Sequence, residues 1–407
     1  MYNVIFTAPV LNLNALLTIR AVISVPDTQV SLISQDKEVA LPAELRKGIG
    51  GFYQVRDALA EDQLYDAATK IQRETGKIDR IFASNEQVQV QVAAVREKLG
   101  IAGMSSETMR NFRDKSRMKS VLSSYDIPCA KNKLVTSTAE AWNFLRTVGY
   151  PVVVKPPEGA GAEFTYKVDN DQAMQSVLGY HPAGLQKPLM IEEFINGDEF
   201  SFDSFTVKGK TQWHSLTRYL PAPLEVKQNA WIQWRVVLPR EVDDPQYDDI
   251  RTVAYTALEV LGAQSGMSHM EWFRRPDGRV VISEVGMRPP GAQIPTLISR
   301  AHEFDCMGAW ARLMITGAFT APGERKYAAG CAYLRGQGSG VVRQITGFEG
   351  IRHDLGKMIT DYRLPEIGQK PGGSYEGEGF IIIRHPQTKV VEETLLHIVS
   401  TIRVVLN

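Results

Sequence analysis

The chain is poor in cysteine: Cys129, Cys306 and Cys331 are an odd number among 407 residues, widely separated and without zinc-type spacing. That excludes a disulfide scaffold or zinc knot and suits a reduced, cytoplasmic setting. It lacks a surplus of either charge, with 46 basic against 46 acidic residues. There is then no global field of the kind that draws proteins to nucleic acid or anionic membrane, and small anions must be met locally. No apolar run reaches the length of a transmembrane helix. The apolar start MYNVIFTAPVLNLNALLTI has no basic leader and is interrupted by Pro9, Asn12 and Asn14, so it reads as strand, loop and helix rather than signal peptide. Nothing repeats. No glycine-rich dinucleotide fingerprint follows the first strand, and no Gly-Lys-Ser/Thr phosphate loop occurs.

What is present is an ordinary globular composition with 43% hydrophobic residues, long enough for roughly two to three domains. Residues 1 to about 105 alternate short apolar runs (VIFTA, VSLIS, DRIFAS) with amphipathic stretches. That rhythm predicts βαβ units and a parallel sheet. Further helices are expected from Val88 to Gly100, from Ser105 or Ser106 to about Tyr125, from Pro245 to Leu261, over 295–317, and from Val390 to Val405. Residues 325–407, rich in glycine and short strands, read as a compact terminal unit. Arg335 and His385 are its only outliers.

The most informative stretch is SHMEWFRRPDGRVVISEVGMRPPG, Ser268 to Gly291. The Pro276-Asp277-Gly278 turn signal lies between two alternating runs, which predicts a β-hairpin. An even-numbered loop centred between Asp277 and Gly278 sets Glu271 across from Glu284, with Cβ atoms roughly 4.5 to 5.5 Å apart. Carboxylates that close repel unless one is neutral or a cation such as Mg²⁺ lies between them. A three-residue bulged loop slips the register by one and sends the glutamates to opposite faces. His269 shares the face of Glu271.

Other segments carry chemistry more loosely. Lys115 and Lys119, at i and i+4, repel on one helix face unless an anion offsets them, or else are simply solvated. The strand Val152-Val-Val-Lys155 leads into a small-residue loop, Gly159-Ala160-Gly161, which is either an ordinary turn or a phosphate cradle of backbone N–H groups and an ammonium. Glu192 and Glu193 lie in an apolar strand before Phe194. Beyond it Glu199, Ser201 and Asp203 fall on one face and Phe200 and Phe202 on the other, with Asp203 read as solvent-exposed. Trp213, Tyr219, Trp231 and Trp234 are packing or pocket-lining aromatics.

In this order and spacing the segments resemble the ATP-grasp superfamily, most closely its biotin-carboxylase-like carboxylate-amine ligases and L-amino acid ligases. The resemblance covers nearly the whole chain. It implies an α/β fold: a Rossmann-like pre-ATP-grasp domain over 1–105, a two-lobed ATP-grasp domain over 106–320 with its lid lobe at about 130–200, and a C-terminal mixed α/β lobe over 321–407. By the same resemblance Lys115 and Lys155 meet nucleotide phosphates under the Gly159–Gly161 flap. Glu192, Glu193 and Phe194 hold adenine, Glu199 the ribose hydroxyls, and Glu271 and Glu284 Mg²⁺ or Mn²⁺. Arg288 steadies the transferred phosphoryl group, and His269 is a further candidate for contacting phosphate or substrate. The family often has Asn two residues after the second glutamate, where this chain has Gly286.

The activity implied is ATP-dependent joining of a small carboxylate to an amine through an acyl phosphate, releasing ADP and phosphate. Phosphorylation of bicarbonate is the alternative chemistry, and a nucleotide-binding subunit or sensor without turnover is the alternative class. The expected partners are small carboxylate and amine substrates and a second copy of the chain, with neither nucleic acid nor membrane.

Overall fold

The computed structural model describes residues 1–159, 164–179 and 187–407. Its first sheet is parallel throughout, ordered Gly51–Gln54, Thr28–Ser34, Tyr2–Thr7, Arg80–Ala83. The central strands are apolar on both faces because both faces are covered. Val4, Phe6 and Leu32 pack on the side of helix Leu13–Ile23. Ile5, Ile33 and Ile81 face helices Glu61–Thr75 and Gln89–Lys98. The chain moves outward from Tyr2–Thr7 in one direction and returns to its other side as Arg80–Ala83. Between those two strands lies the topological switch point, where open α/β sheets bind ligands at the carboxyl ends of their strands.

A second sheet is antiparallel, ordered Asn132–Val135, Leu189–Glu193, Val152–Lys155, Tyr166–Val168. Helices Thr138–Val148 and Asp171–Gly179 close one face over Val135, Val152, Val154 and Ile191. The third sheet has eight antiparallel strands. It begins with the hairpin, Val280–Gly286 and Gly266–Arg274, continues through Asp198–Val207, Lys210–Leu220 and Arg235–Leu238, and ends with Ala328–Leu334, Gly379–His385 and Ile359–Arg363. Strands from either side of residue 320 therefore share one sheet, and among the described residues of the C-terminal stretch only a two-stranded pair stands apart from it. Among the described residues no helix is long and apolar enough to cross a membrane.

Three expected helices are divided or shortened, each for a local reason. The one from Ser105 splits into Ser106–Arg113 and Lys115–Ser124, because Asp114 leaves the helical conformation and its carboxylate accepts from the Ser116 and Arg117 N–H groups. The 295–317 helix breaks into Ile294–His302 and Cys306–Thr316 where Glu303 turns left-handed and Asp305 caps the second piece. The last helix, Thr388–Thr401, yields to a strand, Arg403–Leu406, that pairs with Val342–Thr346.

Candidate active site

The hairpin brings Glu271 and Glu284 opposite each other by a route the turn signal does not give. Near the loop the register runs Arg274 to Val280, Phe273 to Val281 and Trp272 to Ile282. This is the odd-numbered loop, closed by Arg275 N–H to the Arg279 carbonyl, with Gly278 at φ +86°. Left alone it would set Glu271 against Ser283. An irregularity between Glu271 and Trp272 absorbs one residue of the returning strand, and pairing resumes as Glu271 to Glu284, Met270 to Val285 and His269 to Gly286. The even-numbered loop is thus corrected, and a β-bulge restores what it was invoked to explain.

The lysines converge on this pair from two elements. Lys115, first residue of its helix, lies 2.7 Å from the Glu284 carboxylate and donates to the Gly159 carbonyl at 2.9 Å. One turn later Lys119, 1% exposed, pairs with Glu192, whose other oxygen meets Lys155. The anions that offset the two helix lysines are therefore internal carboxylates, and neither lysine is solvated. Burial alone would raise the Glu192 carboxyl, but the two ammoniums hold it down to about 2. Burial opposes the charge on Lys155 too, yet Glu192, Glu284 and Glu271 keep its pKa above the ordinary lysine value. Lys119, with Glu192 alone, is pulled below it by burial.

Glu199 is buried, and burial together with the nearby Glu271 charge pushes its carboxyl well up. It stands among the carboxylates of Glu271 and Glu284. Glu193 turns away to Arg275, 2.7 Å distant, while Lys167 sits 4.8 Å over the Phe194 ring. The Gly159 carbonyl also accepts from Arg113. Ala160 and Gly161 lie outside the described residues. Asp203, expected in solvent, is fully buried. The His269 Nδ1–H donates to its Oδ1 at 2.6 Å, and Ser201 and Thr217 hydroxyls satisfy Oδ2. Burial disfavours the imidazolium, but Asp203 outweighs it and lifts the pKa to about 9. Nε2 of His269 is 3.7 Å from Glu271.

Arg288 donates from Nε to Glu86 at 2.8 Å and from Nη1 to the Pro289 carbonyl at 3.1 Å. Glu86 is the main residue that sequence reasoning missed. The signal was positional: it closes SNE directly after the strand ending at Ala83, on the carboxyl side of the sheet. Also missed were the apolar walls Ala130, Val153, Ile195 and Phe273, which make a slot suited to a flat heteroaromatic ring. Of the flagged aromatics, Tyr219 and Trp234 line the cavity. Trp213 packs on Phe205 and His302, and Trp231 is exposed. Arg335 spends its guanidinium on the carbonyls of Val226, Asn229 and Ile232.

Lys115, Lys119, Lys155, Glu192, Glu199, His269, Glu271, Glu284, Arg288 and Glu86 open onto one cavity of about 750 Å³ that runs from the lysines and the apolar slot to the switch point of the first sheet. Ala8 and Pro9, following one strand, and Ser84 and Asn85, following the other, line its far end. Among the described residues no three His, Cys, Asp or Glu side chains form a ready metal cluster. Two facing carboxylates with no third side-chain donor at Gly286 still fit Mg²⁺, which takes one or two carboxylates and completes its shell with phosphate oxygens and water.

An apolar slot, buried lysines and paired carboxylates thus lie between a small antiparallel lobe and a larger sheet, the arrangement of an ATP-grasp domain. Residues 120–301 match that domain family, and the chain carries an ATP-grasp domain. It is 28% identical over 234 residues to the L-arginine-specific L-amino acid ligase of Bacillus subtilis, a match covering 55% of each protein. It is 25% identical to the alanine–anticapsin ligase of the same organism, covering 48% of this chain and 45% of that protein. The chain thus aligns with about half the length of these relatives. Among solved structures, the L-amino acid ligase of Bacillus licheniformis superposes with a TM-score of 0.80 at 18% identity, covering 100% of this chain and 99% of that one. Carboxyaminoimidazole ribonucleotide synthase of Aspergillus clavatus, solved with ATP, gives 0.73 at 14% identity, covering 99% of each chain. These likenesses establish a common fold across the whole chain.

Proposed function

We propose that the protein is an ATP-dependent carboxylate-amine ligase acting on small substrates, amino acids among them. The observation that carries this reading is that Lys155, Glu271, Glu284 and Arg288 line a single cavity reaching from an apolar slot to the switch point of the first sheet. A carboxylate attacking the γ-phosphate of ATP brings anion against anion, so catalysis rests on cations and positioning. Lys115 and Lys155 bind phosphate oxygens, exchanging part of their pairing with Glu284 and Glu192 for the nucleotide. Ala130, Val153, Ile195 and Phe273 take the base, with the backbone around Glu193 and Phe194 along its edge, and Glu199 the ribose. Glu271 and Glu284 would hold Mg²⁺ or Mn²⁺, which supplies charge neutralisation between the phosphates. The substrate oxygen bonds to the γ-phosphorus as the bond to ADP breaks, and N–H groups of Arg288 bind the transferred phosphoryl oxygens. An amine nitrogen then attacks the acyl carbon, phosphate departs and the nitrogen sheds a proton. His269, fixed by Asp203, lies where it can contact the substrate.

The same proposal keeps the division into 1–105, 106–320 and 321–407, a cytoplasmic location and a homodimer. ADP release measured across amino-acid mixtures, with mass spectrometry of the product, tests the reaction. Phosphate release with no amide overturns it, and bicarbonate-dependent release without an amine points to carboxylase-like chemistry instead. Gly286, which offers no third side-chain ligand, favours one other reading, a nucleotide sensor. Glu271→Gln and Glu284→Gln separate the two. Lost turnover with nucleotide binding kept supports the ligase, whereas an inactive wild type under every substrate supports the sensor.

A further inference from the structure

Arg288 is held by the first sheet and not by its own hairpin. Glu86, 7% exposed, stands at the switch point between the strands Tyr2–Thr7 and Arg80–Ala83. One oxygen accepts from Arg288 Nε at 2.8 Å and the other from Arg113 Nη1 at 3.3 Å. A guanidinium has five N–H donors in a fixed plane. Among the described residues only Glu86 and the Pro289 carbonyl occupy any of those on Arg288, so the rest remain for an anion in the cavity it lines. The same contact bears on Gly286. A Cβ built there would lie 3.7 Å from Glu86 Oε2 and 3.6 to 3.7 Å from the Arg288 side chain. These are ordinary contact distances, so a methyl group is accommodated, whereas an amide extending from it toward the arginine would compete for the space these two side chains share.

We propose that Glu86 is a positioning residue: it grips the Nε edge of Arg288 so that the remaining N–H groups meet the transferred phosphoryl group, and Gly286 is what leaves room for that grip. The proposal rests on the ligase reading. It makes the first sheet a participant in phosphoryl transfer, with the absent side chain at position 286 serving the arginine.

The test is steady-state phosphate release at saturating MgATP, with nucleotide affinity measured separately by calorimetry. Glu86→Gln is expected to lower kcat by about 10²-fold, the scale of a small misplacement of a catalytic group, with nucleotide Kd unchanged. Arg288→Lys has no Nε–H to grip, so adding Glu86→Gln to it should cost about threefold or less; a full, additive loss would overturn the proposal. Glu86→Asp keeps the buried charge but shortens its reach, and should restore the wild-type unfolding midpoint without restoring kcat. Full recovery of kcat by Asp refutes the grip. Gly286→Asn should lower kcat without tightening the Mg²⁺ dependence, and a lower half-saturating Mg²⁺ with kcat retained refutes the role given to Gly286. A wild type without turnover would sink the ligase reading alone. The grip is then read from NMR exchange of the Arg288 Nε–H, assigned as the signal missing in Arg288→Lys. It should be slow in the wild type and fast in Glu86→Asp; equal rates overturn the proposal.

Discussion

Replacing Glu192 by glutamine removes one charge and almost no volume, which makes it a clean test of how the buried lysines are held. Lys155 keeps Glu284 and Glu271 as further carboxylate neighbours, but Lys119 has no other ion partner among the described residues. Removing one member of a buried pair costs about 3 to 5 kcal/mol. Lys119 also has an escape: shedding its proton at pH 7 costs about 4.6 kcal/mol from an ordinary lysine pKa, which caps the loss. A destabilisation of about 3 to 4.6 kcal/mol is therefore expected in the nucleotide-free protein. Its pH dependence has a definite sign. Once the variant's folded state gives up the Lys119 proton, from about pH 7 for the largest deficit to about pH 8 for the smallest, the unfolded chain still binds it, so the deficit shrinks by about 1.4 kcal/mol per pH unit until the ordinary lysine pKa is reached. Urea unfolding followed by tryptophan fluorescence measures both quantities. MgATP should stabilise the variant more than the wild type, because the triphosphate replaces a counter-charge that only the variant lacks. A deficit below about 1 kcal/mol, a deficit independent of pH, or equal stabilisation by MgATP would refute the reasoning.

Lys155→Ala leaves Glu192 paired with Lys119, so it should weaken nucleotide binding by about 1.5 to 3 kcal/mol with a modest effect on folding; calorimetry with an ATP analogue decides. Gly197→Ala places a Cβ 2.4 Å from the Arg274 backbone oxygen at the edge of the apolar slot. A loss of about 1 to 3 kcal/mol in stability together with weaker nucleotide binding is expected, and wild-type values for both would show that the strand ends give way freely. His302 accepts from Arg325 at Nε2 and donates from Nδ1 to Gly323, so it is held neutral; burial and Arg325 lower its pKa to about 4. The unfolded chain then binds a proton that the folded one refuses, and stability falls as pH drops from 6.5 through about 4. His302→Gln should flatten that acid limb in urea midpoints measured from pH 7 to 4, and an unchanged slope would remove His302 from the explanation.

Much of this was written locally in the chain. Parallel strands of the first sheet announce themselves as doubly apolar runs, and Ser105 marks a helix start that the structure keeps. The hairpin was legible as a hairpin. Its register was not, because a three-residue loop and a bulge cancel, and nothing in the pattern VVISE marks where one residue drops out of pairing. Glu192 shows a second kind of limit. Two adjacent glutamates in an apolar strand signal a buried purpose, but which lysines they meet depends on how a separate helix packs across the sheet. Asp203 was misread for the same reason: alternation places it on a polar face, and only the neighbouring strand reveals that His269 covers that face. Glu86 needed the most assembly, since its importance comes from two arginines remote in sequence. The glycine-rich C-terminal strands were visible as strands, while their continuation of the eight-stranded sheet depended on the partner at Arg235–Leu238.

That continuation has a consequence for how the chain is made. Strand Arg235–Leu238 carries three fully buried residues, Val236, Val237 and Leu238, and is hydrogen-bonded on its far side only by Ala328–Leu334. On the ribosome it is synthesised long before that partner, and until then it is an open, apolar sheet edge of the kind that recruits foreign strands. A chain stopped near residue 320 would carry this edge permanently, so truncations there should accumulate as insoluble aggregates, whereas a break in an exposed loop of the first sheet should not.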